Sequence, residues 1–151
     1  MKKKKLPVGL SDFKELIDEN YYYIDKTLFI KEVMESGKIV LITRPRRFGK
    51  TLNQSMLRYF FEKSDNDNSY LFKDKQIWQD ETYREMQGNY PVIYLTFKDI
   101  KSNNYSESYE QIKMLIAEEY TRHKDVIEEI NENKQKEIYQ KIIDREADIT
   151  D

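Results

Sequence analysis

The alternation of apolar and polar residues predicts a chain of helices interrupted by two short strands. Two continuous apolar runs, KIVLIT at residues 38–43 and PVIYLTF at residues 91–97, consist largely of β-branched and aromatic side chains. Such runs are typical of strands that are buried on both faces of a parallel sheet. A proline is tolerated at the first position of a strand, so Pro91 is compatible with the second run.

The other apolar positions recur at the spacing of amphipathic helices. Ser11 and Thr27 are placed to cap the first two helices, Gly37 to end the second, and a capping-box pair, Ser108 with Gln111, precedes a later one. The predicted helices comprise residues 11–20, 28–36 and 50–63, a helix after Ser108, and a final charged helix from Val126. This order predicts an α/β fold with an incomplete parallel sheet, flanking helices and a helix-rich C-terminal half.

Composition excludes several classes of protein. There is no cysteine and one histidine, which excludes a disulfide framework and the metal sites built from Cys or His clusters. No run approaches the ~18 apolar residues of a membrane span, and no apolar signal segment follows the basic N-terminus. We therefore expect a cytoplasmic protein without a membrane partner.

Charge is distributed unevenly along the chain. Residues 1–62 carry a net charge of +5 and residues 106–151 carry −6, within a total of −2. The N-terminal half is thus the part expected to attract anions. The MKKKK segment at residues 1–5 is interpreted as a basic disordered tail, and residues 6–151 as part of one domain.

The candidate site lies between the first predicted strand and the helix that follows it. A loop, RPRRFG at residues 44–49, leads into Lys50 and Thr51 at the start of the helix. The first amides of a helix lack internal partners, and Gly49 lets the backbone approach a phosphate closely. Lys50 would then reach the β- and γ-phosphates of a nucleotide, and the Thr51 hydroxyl would bind Mg²⁺.

The loop departs from the full phosphate-loop pattern G-x-x-x-x-G-K-[ST], because Arg44 occupies the position of the first glycine. Four cations within seven residues nevertheless favour an anionic ligand, since burying them without one is costly. The alternative interpretation is an ordinary strand-to-helix turn whose arginines are solvated or paired with the acidic C-terminal half.

Two longer stretches, residues 6–30 (LPVGLSDFKELIDENYYYIDKTLFI) and residues 41–51 (LITRPRRFGKT), resemble the AAA-ATPase-like family of bacterial P-loop NTPases. Family members are similar in having arginine at the first glycine position. The resemblance implies a partial P-loop NTPase that binds ATP and Mg²⁺ at the nucleotide-binding residues Arg46, Arg47, Phe48, Gly49, Lys50 and Thr51, with Thr51 as the metal ligand. It also makes residues 23–27 a candidate for the adenine side.

The resemblance further implies that this chain is only the N-terminal portion of such a protein. The Walker B strand and later elements are expected after residue 151, followed in many members by a nuclease-like domain of the PD-(D/E)xK type. We therefore expect this chain alone to bind ATP weakly or not at all and not to hydrolyse it, with nucleic acid as a possible partner of the full-length protein. Two alternatives stay open: a nucleic-acid-binding module that uses residues 2–5 with Arg44, Arg46 and Arg47, and a non-catalytic interaction fragment.

Overall fold

The computed structural model describes residues 4–147, which fall into two units separated between Val92 and Ile93. The first unit contains four α-helices: α1 (Phe13–Asp18), α2 (Phe29–Glu35), α3 (Lys50–Phe61) and α4 (Glu81–Met86). It also contains two 3-10 helices, Ser69–Leu71 and Gln76–Gln79. The second unit contains α5 (Tyr105–Arg122), α6 (Val126–Glu129) and α7 (Asn133–Ile143).

The predicted α/β fold is wrong for the described residues. Residues 4–147 contain no β-strand, and the single β-type pairing among them is an isolated parallel bridge between Glu62 and Tyr90. The incomplete parallel sheet of a partial P-loop NTPase is therefore absent from this part of the chain. The part of the prediction that the structure keeps is the order of helices along the chain, including the helix-rich C-terminal half.

The two apolar runs are not strands, because among the described residues no second strand lies alongside them; in the second run the Tyr94 amide donates instead to the Glu119 carboxylate at 2.7 Å. A strand is stabilised by hydrogen bonds to neighbouring strands, which it cannot supply from its own residues. In the first run Ile39 is 91% exposed and Leu41 is 83% exposed. In the second run Ile93, Leu95 and Phe97 are exposed as well. Residue type therefore indicated burial in a sheet that these residues do not form.

The core of the first unit is an aromatic cluster around α3. Phe60 of α3 packs edge-on against Phe72 at 5.0 Å between ring centroids, and Phe13 of α1 stacks on the same ring at 5.3 Å. The two helices α1 and α3 are in direct contact. The fully buried apolar side chains of this cluster are Phe13, Ile30, Met56, Phe60, Leu71, Phe72 and Ile77.

Helix boundaries in the first unit follow local capping rules, with some changes from the predicted caps. Asp12, not Ser11, caps α1 by accepting a hydrogen bond from the Glu15 amide at 2.9 Å. Helix α2 begins at Phe29 without a side-chain cap, and Gly37 follows its C-terminal residues with φ 111°. Helix α3 begins at residue 50, as predicted, and ends at Phe61, two residues before its predicted end.

Residues between α3 and the end of the first unit form a long excursion that returns to α3. The Tyr90 amide donates to the Phe61 carbonyl at 2.9 Å, and the Lys63 amide donates to the Tyr90 carbonyl at 2.8 Å. Within the excursion, Leu71 and Phe72 are buried in the aromatic cluster. The excursion is therefore part of the core and not a surface insertion.

In the second unit, α5 packs against α7. Asn104 caps α5, so the helix begins three residues before the predicted capping box at Ser108. The Tyr139 hydroxyl of α7 donates to the carbonyls of Tyr120 and His123 at 3.0 and 2.8 Å. The predicted final helix is divided into α6 and α7, because the chain leaves helical geometry at Ile130.

Three predictions about the chain ends and the membrane remain. The first is the basic tail at residues 1–5. Residues 1–3 lie outside the described residues, whereas the Lys5 carbonyl accepts a hydrogen bond from the Tyr22 amide at 2.8 Å. Residues 148–151, towards the expected Walker B strand, also lie outside them. Within residues 4–147, no helix combines the length and the apolar character needed to cross a bilayer.

Candidate functional site

The residues that precede α3 form an exposed turn with unusual backbone geometry. Arg47 has φ 69° and Gly49 has φ 73°, so two left-handed residues flank Phe48. Left-handed residues in a turn direct successive amides towards one side, and such concave arrangements bind anions. A glycine adopts this conformation without strain, whereas Arg47 does so at a cost. We name residues 44–51 the cationic turn.

The N-terminus of α3 lies at the end of the cationic turn and has no side-chain cap. Gly49 is the N-cap residue, and its carbonyl accepts the first helical hydrogen bond from the Asn53 amide at 2.9 Å. Among the described residues, no side chain accepts from the first amides of this helix, and its first turn contains no acidic residue. A Cβ added at Gly49 would meet no atom within 4 Å. The helix end is thus open to an external acceptor.

Three arginines precede this helix end in the sequence, and none has a carboxylate partner in the described part of the first unit. Arg44, Arg46 and Arg47 are exposed, and no Asp or Glu within residues 4–147 pairs with any of them. Phe48, between Arg47 and Gly49, is 60% exposed.

Lys50 differs from the three arginines because its ammonium group has internal partners. The Lys50 Nζ donates to the Arg44 carbonyl at 2.5 Å and to the Pro45 carbonyl at 2.9 Å. These bonds connect the first residue of α3 to the first two residues of the cationic turn. The lysine expected to reach a phosphate is therefore folded back onto the turn.

Thr51 follows Lys50 in the first turn of α3 and is half-buried. Within residues 4–147, no group of three or more His, Asp or Glu side chains is arranged to hold a metal ion. The cationic turn therefore offers one hydroxyl to Mg²⁺. A magnesium ion bound there would take its other ligands from nucleotide phosphates and water, which is how Mg²⁺ is commonly held in nucleotide sites.

The predicted site residues 46–51 are consecutive in sequence, and residues 23–27, the candidate for the adenine side, contact the core of the first unit. The Tyr23 ring packs edge-on against Phe13, and its hydroxyl accepts a hydrogen bond from the Lys26 amide at 3.1 Å. Burial raises the pKa of Tyr23 to about 12. The Tyr23 ring thus packs against the core and is partly buried.

Asp25 and Thr27 attach this segment to the 3-10 helix Gln76–Gln79. Asp25 accepts hydrogen bonds from the Thr27 amide and hydroxyl at 2.8 and 2.7 Å, and from the Gln76 amide at 2.8 Å. Thr27 is fully buried and accepts a bond from the Ile77 amide at 3.2 Å. The Asp-Lys-Thr part of the segment therefore joins two regions about fifty residues apart in sequence.

A polar cluster that the sequence analysis did not identify fixes α3 against α1. The Asp12 carboxylate accepts from the Tyr59 hydroxyl at 3.0 Å and from the Ser55 hydroxyl at 3.4 Å. Ser55 in turn accepts from the Phe13 amide at 2.9 Å. Burial, and next the nearby charge of Asp12, raise the pKa of Tyr59 to about 12. Ser55 and Tyr59 lie four residues apart on one face of α3, which is the sequence signal available in hindsight.

Comparison with known proteins assigns the class. Residues 7–151 match the family described as Predicted AAA-ATPase. Because the match extends over nearly the whole chain, the protein belongs to this AAA-ATPase-like family, and the resemblance inferred from its sequence is confirmed.

A relative from Azotobacter chroococcum mcd 1 is described as an uncharacterized protein in the vnfD 5′ region. It is 34% identical to this chain over 101 residues, which cover 64% of this chain and 18% of the relative. The chain thus spans less than a fifth of that relative. No solved structure matches the chain.

Proposed function

We propose that this chain binds the phosphate groups of ATP through the cationic turn. The observation that carries the proposal is the uncapped start of α3, which lies next to three arginines without carboxylate partners in the described residues. The helix amides and dipole favour an anion at this position, and the arginines add long-range attraction. Membership of a family described as Predicted AAA-ATPase makes ATP the ligand of choice.

In this proposal each residue of the turn has a distinct role. The amides of Arg47, Phe48 and Gly49 surround phosphate oxygens, and the Arg46 and Arg47 guanidinium groups neutralise their charge. Lys50 contacts the terminal phosphates, and Thr51 contributes its hydroxyl to Mg²⁺. We further propose binding without turnover, because the family resemblance assigns the acids that orient the attacking water to a later strand.

Calorimetric titration of the full chain with Mg-ATP tests the proposal. Lys50→Ala removes one charge-assisted contact, so we expect affinity to fall by about 10- to 100-fold. Lys63→Ala is the matched control, because Lys63 is an exposed lysine just beyond the other end of α3 and should bind as the wild type does. Equal affinities of wild type and Lys50→Ala would overturn the proposal.

Two further measurements separate the alternatives. In a phosphate-release assay we expect no turnover, and a rate near ~1 s⁻¹ would show that this chain carries its own catalytic acids. Binding of a single-stranded oligonucleotide that falls steeply with salt, and is equal in wild type and Lys50→Ala, would favour the nucleic-acid-binding alternative over nucleotide binding.

A further inference from the structure

Residues 38–43 form an exposed, extended segment of the first unit. The exposed fraction of the side chains alternates along it: Ile39 is 91% exposed, Val40 40% and Leu41 83%, and Ile42 is half-buried. Side chains of an extended chain alternate between two sides with a period of two residues. Ile39 and Leu41 therefore lie together on the solvent side of the segment, and Val40 and Ile42 lie on the other side.

The backbone of this segment has no partner in the described part of the chain. Among residues 4–147, none of the amides or carbonyls of residues 38–43 takes part in a hydrogen bond. The segment thus combines unpaired backbone groups with β-branched and apolar side chains, and it contains neither proline nor glycine. Exposed segments of this kind pair their backbones with another strand, including an identical one.

The charges at the two ends of the segment decide how two copies of it can pair. Lys38 begins the segment, and Arg44 follows it directly. In a parallel pair in register, each of these cations would lie beside its own counterpart, and like charges in such positions are destabilising. In an antiparallel pair centred on Val40, Lys38 lies opposite Ile42 and Arg44 lies opposite Ser36. Each cation then faces an uncharged side chain.

The antiparallel pair centred on Val40 also brings the exposed apolar side chains together. Ile39 of each copy lies opposite Leu41 of the other, on the side that faces solvent in a single chain. Directly opposed apolar side chains stabilise antiparallel strands. A shift by one residue would instead set Ile39 opposite the half-buried Ile42, and so join the solvent side of one copy to the other side of its partner.

We propose that residues 38–43 associate with the same residues of a second copy of this chain as an antiparallel pair of strands centred on Val40. The interface is independent of nucleotide binding. One short strand on each copy makes a small interface, so the dimer is weak, with a Kd of about 10–100 µM. Below about 1 µM the chain is then monomeric.

Site-specific cross-linking tests the register, because the chain contains no cysteine of its own. In the proposed pair the two Val40 side chains are directly opposite, with Cβ atoms about 4.5–5.5 Å apart, close to the span of a disulfide. Thr43 is the matched control, since it is exposed in the same segment but would lie about 20 Å from its counterpart. Under mild oxidation at about 100 µM, we expect Val40→Cys to form a disulfide-linked dimer roughly tenfold faster than Thr43→Cys. Equal rates, or faster linking of Thr43→Cys, overturn the proposal.

Sedimentation equilibrium of the full chain between about 1 and 200 µM measures the association without a cross-link. We expect the average mass to rise from that of one chain towards that of two. Leu41→Lys changes an exposed side chain, so the fold is kept, but it sets an ammonium group against Ile39 of the second copy and should weaken association roughly tenfold. Val8→Lys is the control, because Val8 is 89% exposed in the same unit and lies outside the segment. The mass of a single chain at every concentration, equal effects of the two variants, or growth beyond two chains would each overturn the proposal.

Discussion

Residues 38–43 and helix α3 are neighbours in sequence and both are rich in apolar side chains, yet they behave in opposite ways. Helix α3 buries Met56 and Phe60 completely, whereas Ile39 and Leu41 are almost fully exposed. A helix satisfies its backbone hydrogen bonds within its own residues, so its apolar face needs only a neighbour to pack against. A strand needs a partner for its backbone before its apolar side chains can be buried. The comparison shows that apolar character alone does not decide burial.

The largest expected effect on stability comes from comparing the loss of a buried side chain in α3 with the loss of an exposed one in residues 38–43. Phe60→Ala removes a ring that contacts Phe61 and Phe72 in the aromatic cluster, and we expect it to lower the free energy of unfolding by about 3–5 kcal/mol. Leu41→Ala removes an exposed side chain and should change it by less than about 0.5 kcal/mol. Urea unfolding followed by the fluorescence of Trp78, which packs against the cluster and is the single tryptophan, measures both.

If Phe60→Ala does not fold, the milder variant Phe60→Leu keeps the measurement possible, with an expected loss between those of the two alanine variants. A destabilisation by Leu41→Ala as large as that of the Phe60 variant would mean that residues 38–43 are buried in solution.

A second prediction concerns how α3 is attached to α1. Asp12→Ala removes both the cap of α1 and the acceptor of the Tyr59 hydroxyl, so we expect a loss of about 1–2 kcal/mol. Tyr59→Phe should cost about 1 kcal/mol, and the double variant less than the sum, because the two residues share one bond. Ser11→Ala is the control, since Asp12 is the capping residue and Ser11→Ala should be nearly neutral. A larger effect of Ser11→Ala than of Asp12→Ala would contradict the observed cap.

The end of α7 allows a smaller, stabilising change. Arg145 has φ 63°, and the Glu146 and Arg145 amides donate to the carbonyls of Lys141 and Ile142 in the pattern that ends helices with a left-handed residue. Arg145→Gly relieves the left-handed strain and should stabilise this helix end by about 0.5 kcal/mol, whereas Arg145→Ala should not. Slower amide exchange in the last turn of α7 is the measurement. Equal exchange in the two variants would show that the left-handed geometry is not maintained.

The last prediction concerns two tyrosines of the first unit and is measured as a titration, without any change in stability at neutral pH. The pKa values of Tyr23 and Tyr59 are raised to about 12, mainly by burial, from the value near 10 of an unfolded chain. Because the folded state keeps these protons longer, the associated stability is complete below pH ~10 and is lost as the pH rises towards about 12. Ultraviolet titration of the phenols in Tyr59→Phe should lack one late-titrating group of the wild type. Loss of an early-titrating group instead would contradict its burial beside Asp12.

The helices could be predicted from sequence because their signals are local. The spacing of Met56 and Phe60 and the position of Gly37 are each read within one or two turns of chain. The errors at caps are small shifts between adjacent polar residues, such as Ser11 for Asp12. The absence of a sheet could not be predicted from local sequence. Whether residues 38–43 form a strand depends on a partner strand, which must come from residues far away in sequence or outside the described residues.

The site was predictable in part for the same reason. The position of the turn before α3, and of Gly49 and Lys50 at the helix start, follows from local sequence. The Lys50 side chain bonds to the Arg44 and Pro45 carbonyls across a turn in which Arg47 has a left-handed backbone, and residue type indicates neither feature. Likewise, the Asp12–Tyr59 contact joins residues 47 positions apart and has no local signature.

The bridge between Glu62 and Tyr90 has a practical consequence for handling this protein. It brings the two ends of residues 63–89 together, and Leu71, Phe72 and Ile77 anchor the intervening chain in the core. The exposed Asp65 and Asn66 lie in a polar stretch where proteases cleave readily. A single nick there would leave two fragments held together without a covalent link, so the chain could be divided at this point into separately expressed halves that reassemble.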